Sequence, residues 1–251
     1  MDKPTMAVLD GDIIAYRAAW WADSEGSDWL EDRIVDDLKK WTPPEVTSVV
    51  VAFSCSRSDN FRRQWWPTYK AHREVAKQAP ECLSYAEEII KDYSSKILQI
   101  PTLEADDIMG ILMTTGKAIG VTIDKDIYSV YGWSWKPRMD EEFNSNEIVF
   151  TSKEQADYNF HKQWMTGDTT DNIPGIWKVG VAKATKLLDA EKPVNHTPLV
   201  LNLYEKSPNK QGDSYTFDDA IAQARCVRIL RKEDWDFKNK QVIPWLPEWL
   251  R

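Results

Sequence analysis

Carboxylates dominate the residues able to do chemistry in this chain, and they are grouped. Asp10-Gly11-Asp12, Glu104-Ala105-Asp106-Asp107, Asp124-Lys125-Asp126 and Asp168-Thr169-Thr170-Asp171 hold nine of them beside apolar runs. Each segment alone has an ordinary structural explanation. Acids in the first turn of a helix favour its dipole, Thr102 before Glu104 suits a cap, and Asp serves in turns. Together they are harder to dismiss, because three adjoin apolar segments expected to end at one sheet edge, where their repulsion needs a cation. Mg²⁺ and Mn²⁺ take carboxylate and water oxygens, and two such ions about 4 Å apart are a recurring solution for cutting phosphodiesters. Nine carboxylates exceed what one Mg²⁺ uses, so the count favours two ions. His72, His161 and His196 are far apart and at no helical ligand spacing, which reads as surface or core histidine. Cys55, Cys82 and Cys226 are too few and scattered for a disulfide framework or a four-thiolate zinc site, and they suit a reducing, cytoplasmic setting.

The elements expected to position these groups alternate. Met6-Ala7-Val8-Leu9-Asp10 reads as a strand running through a tight turn into a helix from Ile13 to Trp20. A polar helix near Glu31 to Trp41 and the Pro43-Pro44 break lead to Thr47–Phe53, a β-branched run of the kind buried on both faces of a parallel sheet. Lys96–Pro101 precedes a helix opened by Leu103-Glu104-Ala105-Asp106-Asp107, and Gly120–Asp124 again ends a strand in Asp. This alternation predicts an α/β fold with a mostly parallel central sheet flanked by helices. Ligands of such sheets collect at the carboxyl ends of the strands, where Asp10 and Asp124 fall. From His161 onward the pattern turns helical, interrupted by Asn172-Ile173-Pro174-Gly175, and the Pro-rich end from Ile243 is either packed or a docking tail. The chain of 251 residues, 42% hydrophobic and 29% charged, excludes disordered, collagen-like and membrane classes. Neither a leader nor a membrane-length apolar run is expected.

A basic and aromatic segment follows the second strand. Arg57, Arg62, Arg63, Lys70, Arg73 and Lys77 face only Asp59 and Glu74 across 57–77, with Phe61, Trp65, Trp66 and Tyr69 interleaved. Cations alone would be a solvated surface; cations with rings suit a strand whose phosphates and bases are both exposed. Further on, Gly175-Ile176-Trp177-Lys178-Val179-Gly180-Val181-Ala182-Lys183 lacks the Lys-Ser/Thr pair of a nucleotide-binding loop. It looks instead like the hairpin of a helix–hairpin–helix element, whose backbone amides and helix N-terminus grip duplex phosphates, with Lys178, Lys183 and Lys186 assisting.

Val8-Leu9-Asp10-Gly11 with Tyr16-Arg17, Tyr69-Lys70-Ala71-His72-Arg73, Leu103-Glu104-Ala105-Asp106-Asp107, Asp124-Lys125-Asp126, and Gly167-Asp168-Thr169-Thr170-Asp171-Asn172-Ile173-Pro174-Gly175 resemble, in order and spacing, the 5′-nuclease family. That family comprises flap endonucleases, the 5′ nuclease domain of bacterial DNA polymerase I and phage 5′–3′ exonucleases. The resemblance spans about residues 6 to 190, and Ala224–Arg231 is most similar to the phage enzymes. It implies a single 5′-nuclease domain over 1–251 with a PIN-like core, an arch or clamp over 54–92 and a helix–hairpin–helix over 160–191. Carried over by position, it implies Asp10, Glu104, Asp106 and Asp107 at a first metal, and Asp124, Asp126, Asp168 and Asp171 nearer a second. Asp12 is included, although family members often have an uncharged residue there. Lys70 and Arg73 match the cations facing the scissile phosphate. Tyr16 matches an aromatic stacked on the terminal base, or is a core residue. Arg62, Arg63, Lys77, Gly175, Lys178, Gly180 and Lys183 complete the DNA-binding set. The implied ions are Mg²⁺ or Mn²⁺, with a monovalent cation at the hairpin. The implied partners are DNA with a 5′ end, duplex or flapped, an RNA primer and replication proteins, for a monomer without a membrane. One departure stands out: where the family usually has Asp after the second strand, this chain reads Phe53-Ser54-Cys55-Ser56, with Asp59 a candidate substitute.

Two rival readings compete with a metal-dependent 5′–3′ exonuclease or flap nuclease. In a haloacid-dehalogenase-type phosphatase, Asp10 would be the nucleophile, Asp12 the general acid, and Asp168 and Asp171 the Mg²⁺ end. That leaves Glu104–Asp107, Asp124–Asp126 and the basic segment without roles. A DNA-binding protein that has lost catalysis would follow from the Ser54 departure. The formal charge of −8 argues against a polyanionic partner at first sight. Setting the nine carboxylates aside leaves +1, a near-neutral body with a basic clamp and an acidic pit that metal must fill before DNA approaches.

Overall fold

In a computed structural model the described residues are 2–71, 79–137 and 148–250. They fall into two compact units. Unit 1 takes in the described residues of Met1–Asn60, Gln78–Thr151 and Leu230–Glu233; unit 2 takes in those of Phe61–Lys77, Ser152–Ile229 and Asp234–Arg251.

Unit 1 is built on a six-stranded sheet in the order β3-β2-β1-β4-β5-β6. The strands are β1 (Met6–Asp10), β2 (Ser48–Phe53), β3 (Ile97–Gln99), β4 (Ile119–Val121), β5 (Gly132–Trp135) and β6 (Ile148–Thr151). All neighbouring pairs run parallel except β5 with β6. Ala7, Val8 and Leu9 have no exposed surface, as a continuous apolar run between two helical layers requires. The crossovers are α1 (Gly11–Glu25), α2 (Leu30–Lys40), α3 (Leu83–Tyr93) and α4 (Ala105–Thr114). Helix α1 presses Ile14, Ala15, Ala18, Ala19 and Ala22 into the core; its small residues allow the close approach. That approach is tightest at Gly11, where a Cβ would lie 2.7 Å from the Ala52 carbonyl oxygen. The edge strand β6 leaves Val149 and Phe150 exposed.

Strand order reverses beside β1: the chain steps from β1 to β2 and β3 on one side, then returns to β4 on the other. This is the switch point at which open α/β sheets place ligands, beyond the carboxyl ends of the strands. Helices α1 and α4 start at that same edge, directed there by Asp10 and Glu104 as N-caps.

Unit 2 is helical: α5 (Lys153–Thr166), α6 (Val181–Asp189), α7 (His196–Lys206) and α8 (Phe217–Val227), with a small hairpin of β7 (Trp235–Asp236) and β8 (Gln241–Val242). Its core is aromatic. Trp164 is fully buried, donates its indole N–H to the Ala220 carbonyl at 2.8 Å and has Trp245 edge-on at 5.3 Å. The Pro-rich end is therefore packed at Trp245. The loop from α5 to α6 turns on two opposed glycines: Gly167 and Gly175 have φ of 69° and 66°, and a Cβ on either would meet the other's backbone nitrogen at 2.4–2.5 Å. Among the described residues no helix is long and apolar enough to cross a membrane.

Candidate active site

Asp10 is the last residue of β1 and the cap of α1. Its Oδ1 accepts the Ile13 N–H at 3.2 Å and its Oδ2 the Thr122 hydroxyl at 2.9 Å. Only 3% exposed, it has its carboxyl pushed up to about 7, first by burial, then by the negative charges of Asp12 and Asp124. Asp12, in the first turn of α1, accepts both the backbone N–H and the hydroxyl of Ser54. Burial is again the main cause raising its pKa, with Glu87 and Glu104 adding to it and the Ser54 bonds opposing. Asp124 caps the short turn after β4 by accepting the Asp126 N–H at 2.9 Å, and its own N–H donates to the Thr122 hydroxyl at 3.1 Å. Three acidic segments are thus electrostatically in contact at one sheet edge, with Asp106 and Asp126 partly buried on the same segments.

That edge suits a hard cation. Its donors are carboxylate oxygens, and the charge that burial and crowding make costly on Asp10 is the charge a divalent ion would stabilise. Among the described residues no three acidic, histidine or cysteine side chains converge closely enough to ligate one ion; the field they share, rather than a closed cage, marks the place.

Asp107, expected among the ligands, is also part of the scaffold. It is fully buried, its Oδ2 accepts the Glu104 N–H at 3.1 Å in a capping box, and its Oδ1 accepts the Leu230 N–H at 3.0 Å. Both oxygens serve the backbone, so this carboxylate holds the turn that displays Glu104 and Asp106. The Ser54 departure also resolves. Asp12 is the carboxylate that reaches Ser54, whereas Asp59 is exposed in a short turn and accepts the Ser58 hydroxyl. Thr122 has no place in the expected site and Ser54 enters it only where an Asp is missing, although a detectable signal exists: each is the first hydroxyl residue after the apolar run of a strand flanking β1.

Within unit 2, Asp168 shapes its own turn by accepting the Thr170 and Asp171 N–H groups at 2.8 and 3.3 Å. Asp171 accepts the Tyr69 hydroxyl at 2.9 Å and pairs with the Lys70 ammonium at 3.6 Å. Trp66 and Asn172 add reciprocal bonds between the same two segments, each 2.9 Å long. Arg62, expected on DNA, is 2% exposed and donates to the carbonyls of Cys226 and Arg228 at 2.9 and 2.8 Å, while the buried Cys226 thiol donates back to the Arg62 carbonyl. Arg63 and Tyr16 are partly buried, and Lys178, Gly180 and Lys183 are exposed around the start of α6. Arg73 and Lys77 lie outside the described residues, as does His72.

The fold and the site together define an α/β protein whose mostly parallel sheet gathers carboxylates at its switch point. Residues 5–157 match the family described as 5′-3′ exonuclease, N-terminal resolvase-like domain, and the chain belongs to that family. Among curated proteins it is 25% identical to the exonuclease of Escherichia phage T7, covering 98% of this chain and 95% of that one. It is 24% identical to the exodeoxyribonuclease of Enterobacteria phage T3, covering 98% and 94%. Among solved structures, the T5 D15 protein co-crystallised with metal ions superposes with a TM-score of 0.63 at 14% identity, over 88% of each chain. The rival phosphatase reading falls with the family.

Proposed function

We propose that this chain hydrolyses phosphodiester bonds near the 5′ ends of DNA, using Mg²⁺ or Mn²⁺ held by acids of the set Asp10, Asp12, Glu104, Asp106, Asp107, Asp124 and Asp126. The observation that carries the reading is the acidic edge itself, where Asp10 is buried against two further carboxylates at the switch point of a parallel sheet. Divalent ions there supply the Lewis acidity that phosphodiester hydrolysis needs. The protein's own part is to fix the acceptors before substrate arrives: Asp10 through Ile13 and Thr122, Asp12 through Ser54, and Glu104 and Asp106 through the turn that Asp107 holds. The relatives named as exonucleases, together with the T5 protein's metal ions, support the same reading.

For the nucleic acid, we assign the start of α6 to the duplex backbone. Gly180 caps that helix without a side chain, a Cβ there would meet nothing within 4 Å, and exposed Lys178 and Lys183 flank its N–H groups. This suits phosphate contact without base readout. Lys70 and Arg73 are assigned to the scissile phosphate, and Tyr16, Arg63 and Lys77 to the strand. A monovalent cation at the hairpin, an RNA 5′ strand, replication proteins as partners and a monomeric state belong to the same proposal. Incubation with 5′-labelled duplex and flapped DNA in Mg²⁺ tests it: short 5′ fragments are expected, and DNA that is bound but left intact overturns the catalytic assignment. Asp124→Asn should abolish cleavage while sparing DNA binding in Ca²⁺, and near-normal cleavage would remove Asp124 from the site.

A further inference from the structure

Two hydroxyls at the acidic edge flank the β1–α1 turn. Strand pairing sets Leu9 beside Val121, so Thr122 comes level with Asp10; on the other side Asp10 pairs with Ala52, two residues before Ser54, and Asp12 lies in the first turn of α1. Thr122 Oγ1 lies 2.9 Å from Asp10 Oδ2 and 3.1 Å from the Asp124 backbone nitrogen. Ser54 Oγ contacts Asp12 Oδ2 and lies 2.9 Å from the Ala105 backbone nitrogen, between Glu104 and Asp106. A backbone N–H can only donate, so each hydroxyl oxygen must accept from it, and the single hydroxyl proton is left for the carboxylate. The direction of both relays is therefore fixed: acidic segment N–H to hydroxyl, hydroxyl to carboxylate.

We propose that Ser54 and Thr122 are paired positioning residues, which tie the two carboxylates of the β1–α1 turn to two different acidic segments. Thr122 sets Asp10 against the Asp124 turn, and Ser54 sets Asp12 against the start of α4. Each bond selects one carboxylate rotamer and one spacing between acids that would otherwise repel one another apart. Ordering acceptors in this way is what outer-shell partners of metal ligands do, and losing one typically costs about 10–100-fold in metal affinity or activity. The inference rests on the nuclease reading above.

The test measures Mn²⁺ binding by calorimetry on the DNA-free protein, then kcat and KM on 5′-labelled DNA. Thr122→Val and Ser54→Ala should each weaken Mn²⁺ binding about 10–100-fold and lower kcat at unchanged KM for DNA. Thr122→Ser and Ser54→Thr, which keep the hydroxyl, should restore most of both. Thr122→Ala replaces the valine variant if the latter does not fold. Parental Mn²⁺ affinity in the hydroxyl-less variants overturns the proposal. So does failure of the hydroxyl-keeping variants to recover, which would assign the effect to packing. The parent and Asp10→Asn separate the two levels: if the parent leaves DNA intact, the nuclease reading falls, and if Asp10→Asn cleaves like the parent, Asp10 leaves the site. If Asp10→Asn is inactive while both hydroxyl-less variants are neutral, only the pairing falls.

Discussion

The two units contain closely similar acidic motifs and treat them in opposite ways. In unit 1, Asp10 and Asp12 receive hydroxyls and backbone N–H groups but stay crowded by other acids, so their protons are held more tightly than usual. In unit 2, Asp171 is met by a lysine and a tyrosine, and Asp168 by the amides of its own turn. A carboxylate met by a cation is already stabilised as an anion, whereas one crowded by other acids gains most from an added ion. Spacing alone does not show that difference, because the motifs look alike.

The largest effect should come from Asp10→Asn. It removes an acid whose carboxyl is pushed up to about 7, and cleavage in Mg²⁺ should drop about a thousandfold or more, since metal charge stabilisation contributes several kcal/mol. Single-turnover cleavage rates measure this, and a loss under tenfold would place Asp10 with the structural acids.

Opposite pH responses should separate the units next. Asp10's carboxyl sits at about 7 in the fold against an ordinary 3.8, so the folded form binds the extra proton between those values. Its contribution favours the metal-free fold at low pH and is lost as pH rises through 7, a change on the order of 4 kcal/mol. His161 does the reverse. Burial holds it down to about 4 from an ordinary 6.5, with its Nδ1–H donated to the Asp157 carbonyl at 2.6 Å and its Nε2 accepting from the Thr197 hydroxyl. That contribution is full above 6.5 and is lost as pH falls through 4, about 3 kcal/mol in all. Hydrogen exchange of β1 and of α5, followed from pH 8 to 5 without metal, should move in opposite senses. Parallel trends would mean that the two environments do not differ as described.

Arg62→Ala should cost unit 2 about 3 kcal/mol, because it strands two buried carbonyls, and should leave Mn²⁺ affinity in unit 1 unchanged. Denaturant unfolding with calorimetry would show both; a purely DNA-binding defect in a fully stable variant would return Arg62 to the interface. The smallest stability effect is expected for Lys70→Ala. Its partly exposed pair with Asp171 contributes about 1 kcal/mol at most, while kcat should fall more than DNA affinity. An unchanged kcat would leave Lys70 to Asp171 alone.

Local patterns carried most of unit 1. The apolar runs ending in Asp10 and Asp124 are strands or their immediate ends because consecutive buried residues leave no other use for such runs. The carboxyl edge follows from their shared direction. Strands β5 and β6 were less legible: Gly132-Trp133-Ser134-Trp135 is short and mixed, and only pairing defines it. What the sequence hid was long-range. Asp107 accepts a backbone N–H 123 residues away, and Arg62 donates to carbonyls 164 and 166 residues away. No periodicity encodes such partners. A cation in a basic stretch and an acid in an acidic one look like their neighbours until burial distinguishes them.

Burial of Cys226 also supplies a clock. Its thiol sits under the backbone of Arg62 at 3% exposure, so a thiol reagent can reach it only while the bonds around Arg62 are open. Cys55 and Cys82, half-buried in unit 1, serve as references that react without waiting. The ratio of labelling rates would then give the opening free energy of unit 2 in native buffer, with no denaturant and no DNA present.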